Sequence, residues 1–312
     1  MADIRKVATR QSYGEALVEL GAAHDDFVVL DADLAAATQT GKFKAAYPDR
    51  FIDVGIAEQN LMGVAAGIAT TGHRVFASTF AMFAAGRAFE QVRNSIGYPH
   101  LHVVIGATHA GMSVGEDGAT HQCNEDLALM RAIPGMTVIV PADDVEAKAA
   151  VRAAYEAEGP VYVRLGRLPV PVIHKDDYHF ELGRGVIERE GSDVTVIACG
   201  LEVPAALEAA KTLADKGMSC EVINMATIKP LDGDLIVASA RKTGRVVTVE
   251  EHSVIGGLGS AVCDLLCEAC PTPVKKIGVN DVFGESGPAL DLLAKYGLDG
   301  AGVAETIEGF VR

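Results

Sequence analysis

The sequence has no tryptophan, few aromatic residues and no net positive charge, and each of these features excludes something. Aromatic residues make up only 5% of the 312 residues, so the core must consist mainly of the aliphatic side chains that bring the hydrophobic fraction to 49%. The formal net charge is −15, which argues against nucleic acid or an anionic membrane as a partner, because both need basic surfaces. A local basic pocket for a phosphorylated metabolite remains compatible with this charge.

Long apolar runs and a secretory segment are also missing. No apolar stretch approaches the ~18 residues that a membrane span needs. The N-terminal sequence MADIRKVATRQ lacks the apolar core of a signal peptide. With six cysteines and no secretory context, we expect reduced thiols in a cytoplasmic protein.

Short β-branched runs alternate with alanine-rich helical stretches along the chain. The predicted strands are 27–31, 75–79, 101–107, 137–140, 161–165, 194–198, 220–224, 246–250 and 274–278. The predicted helices are 57–71, 82–96, 143–158, 205–216 and 259–268. This rhythm predicts an α/β fold with mostly parallel sheets that are covered by helices on both faces.

The segment 168–182 breaks this rhythm. It contains two prolines, two histidines and the adjacent pair Asp176 and Asp177, which is typical of a linker. The chain length favours about two domains. We therefore expect a first domain over residues 1–170, a linker over 171–184 and a second domain over 185–312.

Glu58 stands at the start of an otherwise apolar helix. A carboxyl group at this place is expected to be buried, and burial disfavours its charged form. Because proteins rarely bury glutamate without a partner, we expect Glu58 either to form a salt bridge or to act as a tuned acid that faces a ligand.

The densest group of titratable side chains lies in the loop after the strand predicted at 101–107. This loop holds His109, Glu116, Asp117 and His121 among glycines that let a ligand approach the backbone. Loops beyond the carboxyl ends of strands form the ligand crevice of open α/β sheets, and long loops in compact domains are usually functional. The four side chains could also ligate a metal, but no close helical spacing supports this, and we predict no metal site.

Phe80 and Phe83 follow the strand predicted at 75–79 and point toward the same crevice. They could be ordinary core residues, but an aromatic face at this position could stack a flat heterocycle. Arg10, Arg164 and Arg167 offer planar guanidinium groups that suit phosphate. For Arg164, a plain solvated surface position is an equally good interpretation.

Two patterns in the second half imitate known sites. Cys263, Cys267 and Cys270 have the spacing of a cluster-binding loop, but the same spacing places them on one face of a helix. We therefore expect buried thiols that pack as small apolar side chains. The run 256–259, Gly-Gly-Leu-Gly, lacks the order of a dinucleotide-binding loop and predicts a tight strand-to-helix turn.

Together these segments resemble the C-terminal half of transketolase, a thiamine diphosphate enzyme. The similarity covers residues 7–287 and rests on the segments 7–10, 31–34, 55–60, 78–83 and 108–122. It implies a parallel-sheet pyrimidine-binding domain that is followed by a transketolase C-terminal domain with a mostly parallel sheet. The reaction it implies is transfer of a two-carbon ketol unit from a ketose phosphate to an aldose.

The resemblance also implies which residues hold the cofactor. Glu58 matches the glutamate that bonds the pyrimidine ring and promotes formation of the thiazolium ylid. Phe83 matches the aromatic residue that stacks on the pyrimidine, and Phe80 lines the same pocket. Asp33 matches an aspartate near the cofactor at the subunit interface.

Substrate contacts follow from the same resemblance. Asp117 and His121 match residues that contact the sugar near its reacting hydroxyls, and we expect them to be catalytic together with the cofactor-binding glutamate. Arg10, His109 and Arg167 match residues that hold the substrate phosphate.

Two positions depart from the family pattern. Gly86 stands where the family often has tyrosine, and Ala37 stands where it has a phosphate-binding serine. These departures leave the substrate open, and an unusual sugar such as a sulfo- or branched sugar also fits.

A Gly-Asp-Gly motif, which in this family helps hold Mg²⁺ and the diphosphate, is missing from the sequence. The resemblance therefore implies an N-terminal transketolase subunit that carries the Mg²⁺ and diphosphate site. We expect the two subunits to assemble into a heterotetramer, and we expect this chain to be inactive alone.

Other functions stay open. The chain could belong to a different thiamine enzyme, either deoxyxylulose-phosphate synthase or the β subunit of a 2-oxo acid dehydrogenase, although the loop around Glu116 and Asp117 looks like transketolase. A protein of another class, a non-catalytic partner that regulates a thiamine enzyme, is disfavoured because Glu58, Phe83 and His121 are all present.

Overall fold

The computed structural model describes residues 5–312. Residues 1–4, which belong to the predicted first domain and to the segment that argues against a signal peptide, lie outside the described residues. The strands of the first part are β1 (Lys6–Val7), β2 (Phe27–Asp31), β3 (Phe51–Asp53), β4 (Arg74–Phe80), β5 (Val103–Thr108), β6 (Thr137–Ile139), β7 (Val161–Arg164) and β8 (Val170–Pro171). Its α-helices are α1 (Thr9–Ala23), α2 (Ala35–Thr38), α3 (Gly41–Ala46), α4 (Glu58–Ala69), α5 (Phe89–Gln91), α6 (Asp126–Arg131) and α7 (Asp144–Glu156).

The second part repeats the alternation of strand and helix. Its strands are β9 (Val186–Arg189), β10 (Val194–Ala198), β11 (Cys220–Asn224), β12 (Thr227–Lys229), β13 (Val246–Ser253) and β14 (Val274–Val279). Its helices are α8 (Glu202–Ala214), α9 (Gly233–Thr243), α10 (Leu258–Ala269), α11 (Ala289–Lys295) and α12 (Gly300–Val311). Within residues 5–312, no helix combines the length and the apolar character that a membrane crossing requires.

Two large sheets organise the molecule. The first has the strand order β12-β6-β7-β5-β4-β2-β3, and the second has the order β14-β13-β10-β11-β9. All neighbouring strands in them are parallel except two edge pairs, β12 with β6 and β9 with β11. The central strands are buried on both faces, which explains their continuous Val and Ile runs. The predicted α/β class with mostly parallel sheets is confirmed.

Strand β12 comes from the second half of the chain but joins the sheet of the first half. It pairs with β6 in an antiparallel register, with Thr227 opposite Ile139. The two halves therefore share a sheet edge as well as a packed interface. Sequence analysis missed this strand, because three residues that pair with a distant partner carry no periodic signal of their own.

The segment 168–182 does more than connect the two sheets. Within it, β8 pairs with β1, and His174 bridges the two halves. His174 Nδ1 lies 3.1 Å from Asp143 Oδ2, and Nε2 lies 3.0 Å from Glu188 Oε1. The nearby Tyr178 hydroxyl donates to Glu146 at 2.6 Å. Burial opposes the charged imidazolium, but the Asp143 and Glu188 carboxylates outweigh it and raise the pKa of His174 to about 10.

We expect this network to make stability depend on pH. Because the folded-state pKa of His174 lies above the unfolded value near 6.5, its stabilisation is complete below about pH 6.5 and is lost as the pH rises through about 10. Replacing His174 with glutamine should lower the free energy of unfolding by on the order of 3 kcal/mol at pH 6 and by much less at pH 10. Urea unfolding across this range measures both values.

The matched control for this prediction is His179→Gln, which changes an exposed histidine of the same segment. It should leave the pH profile of the unfolding free energy unchanged. If His174→Gln destabilised the protein equally at pH 6 and pH 10, the charge on His174 would not be the source of its effect.

Candidate functional site

The site lies where β4 and β5 end side by side. These strands are parallel, with Phe80 opposite Thr108, so the residues that follow both strands meet at one edge of the sheet. The chain after β4 is helical but irregular, with π-helical turns at Phe83–Arg87 and Val92–Gly97 on either side of α5. Such π-turns in a helix are frequent at functional sites. The helix predicted over 82–96 is thus present, with a geometry that periodicity does not reveal.

Four rings from these segments form an aromatic cluster, which we define as Phe80, Phe83, His109 and His121. Phe80 stacks on His109 with ring centroids 3.8 Å apart, and on Phe83 at 5.7 Å. The His121 ring meets Phe83 edge-on at 5.4 Å. The cluster thus joins two predicted cofactor residues to two histidines of the predicted substrate loop, and it provides a flat apolar wall.

His109 is held in an unusual state. Its backbone has φ = 57°, in the left-handed region, which a non-glycine residue adopts only when its surroundings require it. Burial and the positive charges of Arg10 and Arg167 lower the pKa of His109 to about 3, so the ring is neutral at neutral pH. Arg10 Nη1 lies 3.3 Å from His109 Nε2. Since guanidinium only donates, Nε2 accepts and Nδ1 carries the proton toward Thr108 Oγ1 at 2.9 Å.

Two arginines face one pocket of about 390 Å³ beside this cluster. Arg10 and Arg167 line it together with Gln11, Gln39 and Ser113. Burial and the nearby charge of Arg167 lower the pKa of Arg10. Glu116 also lines the pocket and pairs with Arg167, but two guanidinium groups against one carboxylate leave a positive lining that suits an anion.

Each of these arginines is also held by the protein. Arg10 Nη1 donates to Ala37 O at 2.8 Å. Arg167 Nη1 donates to Val114 O, and it pairs with Glu116 Oε2 at 2.8 Å in a half-exposed ion pair. Ala37 therefore helps to position Arg10 through its carbonyl, although it has no hydroxyl side chain.

Glu58 begins α4 and its side chain is only 2% exposed, as the sequence predicts. Arg87 Nη1 donates to Glu58 Oε2 at 3.0 Å. The Arg87 guanidinium carbon also lies 4.8 Å from the centre of the Phe83 ring. Of the two expected environments, the structure therefore shows the salt bridge. Sequence analysis missed Arg87, whose signal is its spacing of four residues from Phe83.

The loop between β5 and α6 is shaped by glycines and fastened by Gln122. Two 3₁₀ turns within Met112–Asp117 meet at a kink at Gly115, whose φ of 80° disfavours other residues. Gln122 Nε2 donates to Met112 O at 3.3 Å and to Glu285 O at 2.9 Å, which ties the loop to the second half of the chain. Asp117 is exposed at the end of the turn.

Two predicted site residues lie apart from the aromatic cluster. Within residues 5–312, no side-chain hydrogen bond or ion pair connects Asp117 or Asp33 to it. Asp33 is exposed with φ = 62°, and its N–H donates to Asp53 Oδ1 at 3.0 Å. The described part of the chain also gathers no group of three or more His, Cys, Asp or Glu residues that could hold a metal.

Arg164 is not on a solvated surface, and that interpretation is wrong. Its side chain is 5% exposed, and its Nε donates to the fully buried Asp126 Oδ2 at 2.8 Å. Arg164 Nη2 also donates to Cys123 O and to Glu251 O, so it fastens the substrate loop to β13. Arg164 is the last residue of β7, and it is buried at the interface between the two halves of the chain. Its position at the end of a predicted strand does not reveal this burial.

The two patterns of the second half are structural. Leu258 N and Gly259 N, at the start of α10, both donate to the Glu250 carboxylate, so the run 256–259 ends the strand-to-helix turn after β13 and begins α10. The three cysteines have free thiols and lie on α10 and at its end. Cys267 is exposed, and Cys263 and Cys270 are half-buried. The prediction of three buried thiols is therefore wrong, because this face of α10 is open to solvent.

Comparison with known proteins agrees with this geometry. The family profile of the transketolase pyrimidine binding domain matches residues 5–172, and that of the transketolase C-terminal domain matches residues 183–303. A chain from Methanocaldococcus jannaschii, described as a transketolase C-terminal section, is 51% identical over 96% of this chain and 94% of its own length. A 6-deoxy-6-sulfo-D-fructose transketolase subunit from a Clostridium species is 44% identical over 93% of this chain and 90% of its own length.

A solved structure is also similar over nearly the whole chain. It is described as a split gene transketolase, an inactive tetramer of β subunits. It superposes with a TM-score of 0.91 at 57% identity, and the superposition covers 97% of this chain and 98% of its own length. The profiles, the identity and the superposition all extend through both halves of the molecule. This chain therefore belongs to the transketolase family and matches the C-terminal subunits of its split members.

Proposed function

We propose that this chain is the C-terminal subunit of a thiamine diphosphate-dependent transketolase that transfers a two-carbon ketol unit from a ketose phosphate to an aldose. The observation that carries the proposal is the meeting of three features at one sheet edge. These are a buried carboxylate, an aromatic wall and a pocket lined by two arginines. Together they suit a flat heterocycle next to a phosphorylated substrate.

The residues present fit the pyrimidine half of the cofactor. Phe83 provides a ring for stacking, and Glu58 provides a buried carboxylate at the same place. Within the described residues, hydrogen bonds from other side chains reach only Oε2 of Glu58, so Oε1 is free to bond a ring nitrogen. Phe80 supports Phe83 by stacking on it. When bound, the cofactor supplies a nucleophilic carbon and a sink for the electrons of the cleaved carbon–carbon bond.

This chain's other residues act on the substrate in the proposal. Arg10 and Arg167 bind the phosphate, and neutral His109 orients Arg10 rather than contributing a second charge. His121, in edge contact with Phe83, is next to the ring wall and can orient a sugar hydroxyl or move its proton. Asp117, which lies in the same loop as His121, is assigned the same kind of role. Asp33 is assigned to the subunit interface near the cofactor.

The remaining half of the cofactor site is assigned to a partner. The sequence has no Gly-Asp-Gly motif, and residues 5–312 gather no set of metal ligands. An N-terminal subunit that supplies the Mg²⁺ and diphosphate site completes the enzyme, and a heterotetramer is the proposed assembly. The chain is similar to a split gene transketolase whose tetramer of β subunits is described as inactive. This similarity supports a division of the enzyme between two kinds of subunit. A cytoplasmic location completes the proposal and fits six free thiols.

The preferred sugar is the least constrained part of the proposal. Ala37 presents only its carbonyl to Arg10, so the anion pocket lacks the hydroxyl that the transketolase pattern places there. One relative is described as a 6-deoxy-6-sulfo-D-fructose transketolase subunit, and this name supports the choice of a sulfo-sugar as a candidate for the present chain. A sulfo- or branched sugar is therefore the second candidate substrate.

An assay of the reconstituted complex tests the proposal. We expect no turnover by this chain alone with thiamine diphosphate and Mg²⁺, and ketol transfer from xylulose 5-phosphate once the N-terminal subunit is added. Turnover by the chain alone would contradict the need for a partner. Reaction of the complex with pyruvate instead of the ketose phosphate would identify a deoxyxylulose-phosphate synthase or a 2-oxo acid dehydrogenase. Full activity of the N-terminal subunit without this chain would identify a regulatory partner.

A further inference from the structure

The Arg87 side chain occupies the space between the two groups that the proposed function assigns to the cofactor's pyrimidine ring. Its Nη1 donates to the buried Glu58 carboxylate at 3.0 Å. Its guanidinium carbon lies 4.8 Å from the centre of the Phe83 ring. One side chain therefore makes both contacts, the hydrogen bond to Glu58 and the contact with the face of Phe83, that an aminopyrimidine at this site would make.

The chemistry of the two groups is alike. A guanidinium is flat and delocalised, it presents N–H donors in its own plane to a carboxylate, and it lies over aromatic faces. An aminopyrimidine is also flat, bonds a carboxylate through a ring nitrogen and stacks on an aromatic face. Arg87 also meets a requirement of the free chain, because a carboxylate that is only 2% exposed requires a hydrogen-bond donor when no ligand is bound.

Arg87 is also placed so that it can leave. Its side chain is 52% exposed, whereas Glu58 is buried. It ends a π-helical turn, Phe83–Arg87, and the neighbouring Gly86 adds no side chain to hold it. Swinging into solvent would cost an exposed cation little beyond the ion pair and the ring contact.

We propose that Arg87 is a built-in substitute for the pyrimidine ring, which satisfies Glu58 and covers Phe83 until the cofactor displaces it. This inference rests on the proposed function, because it takes the pyrimidine as the displacing group. Arg87 is then a residue that sets cofactor affinity. It keeps Glu58 Oε2 paired in the free chain and weakens binding, since the ring must first displace the Arg87 guanidinium from the face of Phe83.

Titration of the full chain with the aminopyrimidine alcohol that corresponds to the pyrimidine half of thiamine tests this without turnover or a partner. Chemical shifts of the chain report binding, and the Arg87 side-chain Nε–H signal, assigned by its absence in Arg87→Ala, reports displacement. We expect the chemical shift and the linewidth of that signal to change as the probe binds. We expect Arg87→Ala to lower the probe's Kd about 3- to 10-fold, because only one ion pair, half-exposed on its arginine side, and one cation–π contact are removed.

Arg93→Ala is the matched control, because it removes an equal charge from an exposed position of the same irregular helix without touching Glu58. It should leave the Kd unchanged. Arg87→Gln, which keeps a shorter amide donor near Glu58, replaces the alanine variant if that variant does not fold, and it should also tighten binding. The change should shrink at high salt, which screens the wild-type ion pair.

The outcomes separate this inference from the proposed function. Binding of the probe to the wild type with Kd unchanged or raised by Arg87→Ala and Arg87→Gln would overturn the substitute role and keep the pyrimidine site. An Arg87 Nε–H signal that stayed unmoved while the probe bound would do the same. Absence of binding to the wild type and to both Arg87 variants would show that Glu58 and Phe83 hold no pyrimidine, and both proposals would fall.

Discussion

Replacement of Glu58 with alanine is expected to lower the rate of ketol transfer by the reconstituted complex by ~10²–10⁴-fold. Glu58 is a buried carboxylate that Arg87 links to Phe83 of the aromatic wall, and its Oε1 is the atom proposed to bond the ring nitrogen of the cofactor. Alanine removes this bond while it leaves Phe83 and the rest of the wall in place. The loss should therefore fall mainly on kcat at saturating cofactor.

Two controls separate this effect from a general defect. Glu90→Ala removes an exposed acid of the same irregular helix, whose carboxylate bonds only to its neighbours Gln91 and Asn94, and it should keep the wild-type rate. Glu58→Gln keeps the volume and an oxygen acceptor at this place. A rate within about threefold of wild type for Glu58→Ala, measured with saturating thiamine diphosphate and Mg²⁺, would count decisively against the assignment of Glu58.

The largest expected effect on stability comes from Arg164. Replacing it with alanine should reduce the free energy of unfolding by about 3–5 kcal/mol, because Asp126 would remain as an unpaired charge with no exposure to water. The carbonyls of Cys123 and Glu251 would also lose the hydrogen bonds that they accept from Arg164 at 3.2 Å and 2.8 Å. Domains are stable by only ~5–15 kcal/mol, so this is a large fraction of the total.

Urea unfolding of Arg164→Ala against wild type measures this loss, and Arg152→Ala is the matched control. Arg152 forms an exposed pair with Glu19, with side chains 50% and 53% exposed, so its removal should change the unfolding free energy by at most about 1 kcal/mol. Arg164→Met, which keeps an apolar stem, shows how much of the loss is packing. Equal, small effects for Arg164→Ala and Arg152→Ala would mean that the buried pair contributes no more than a surface pair.

Local sequence patterns predicted much of the fold. The strands expected at 194–198 and 220–224 coincide with β10 and β11, because five consecutive buried residues leave a mainly apolar signal in each. The expected helix over 143–158 is α7, which Asp143 caps by accepting from Glu146 N at 2.9 Å. Helix α1 was missed, since its apolar residues show weak periodicity and their burial depends on what packs against them.

For the candidate site, as for the fold, some features followed from the sequence and others only from the packed molecule. The sequence alone determined that Phe80 and His109 follow neighbouring strands, because each comes directly after a β-rich run and parallel strands end at one edge of a sheet. It also determined that the carboxylate of Glu58 is buried, since an apolar helix surrounds it. Motifs of this kind are short and continuous, so they survive without any knowledge of the packed molecule.

Only the tertiary structure decided which partners these residues have. Arg87 reaches Glu58 across 29 residues of sequence, and Arg164 reaches Glu251 across 87. Strand β12 crosses from one half of the chain to complete the sheet of the other. Such contacts depend on how distant segments pack, and a hydrogen bond or an ion pair needs ångström placement that no local pattern encodes. Residue types therefore predicted the kind of chemistry, while packing decided the state of each group.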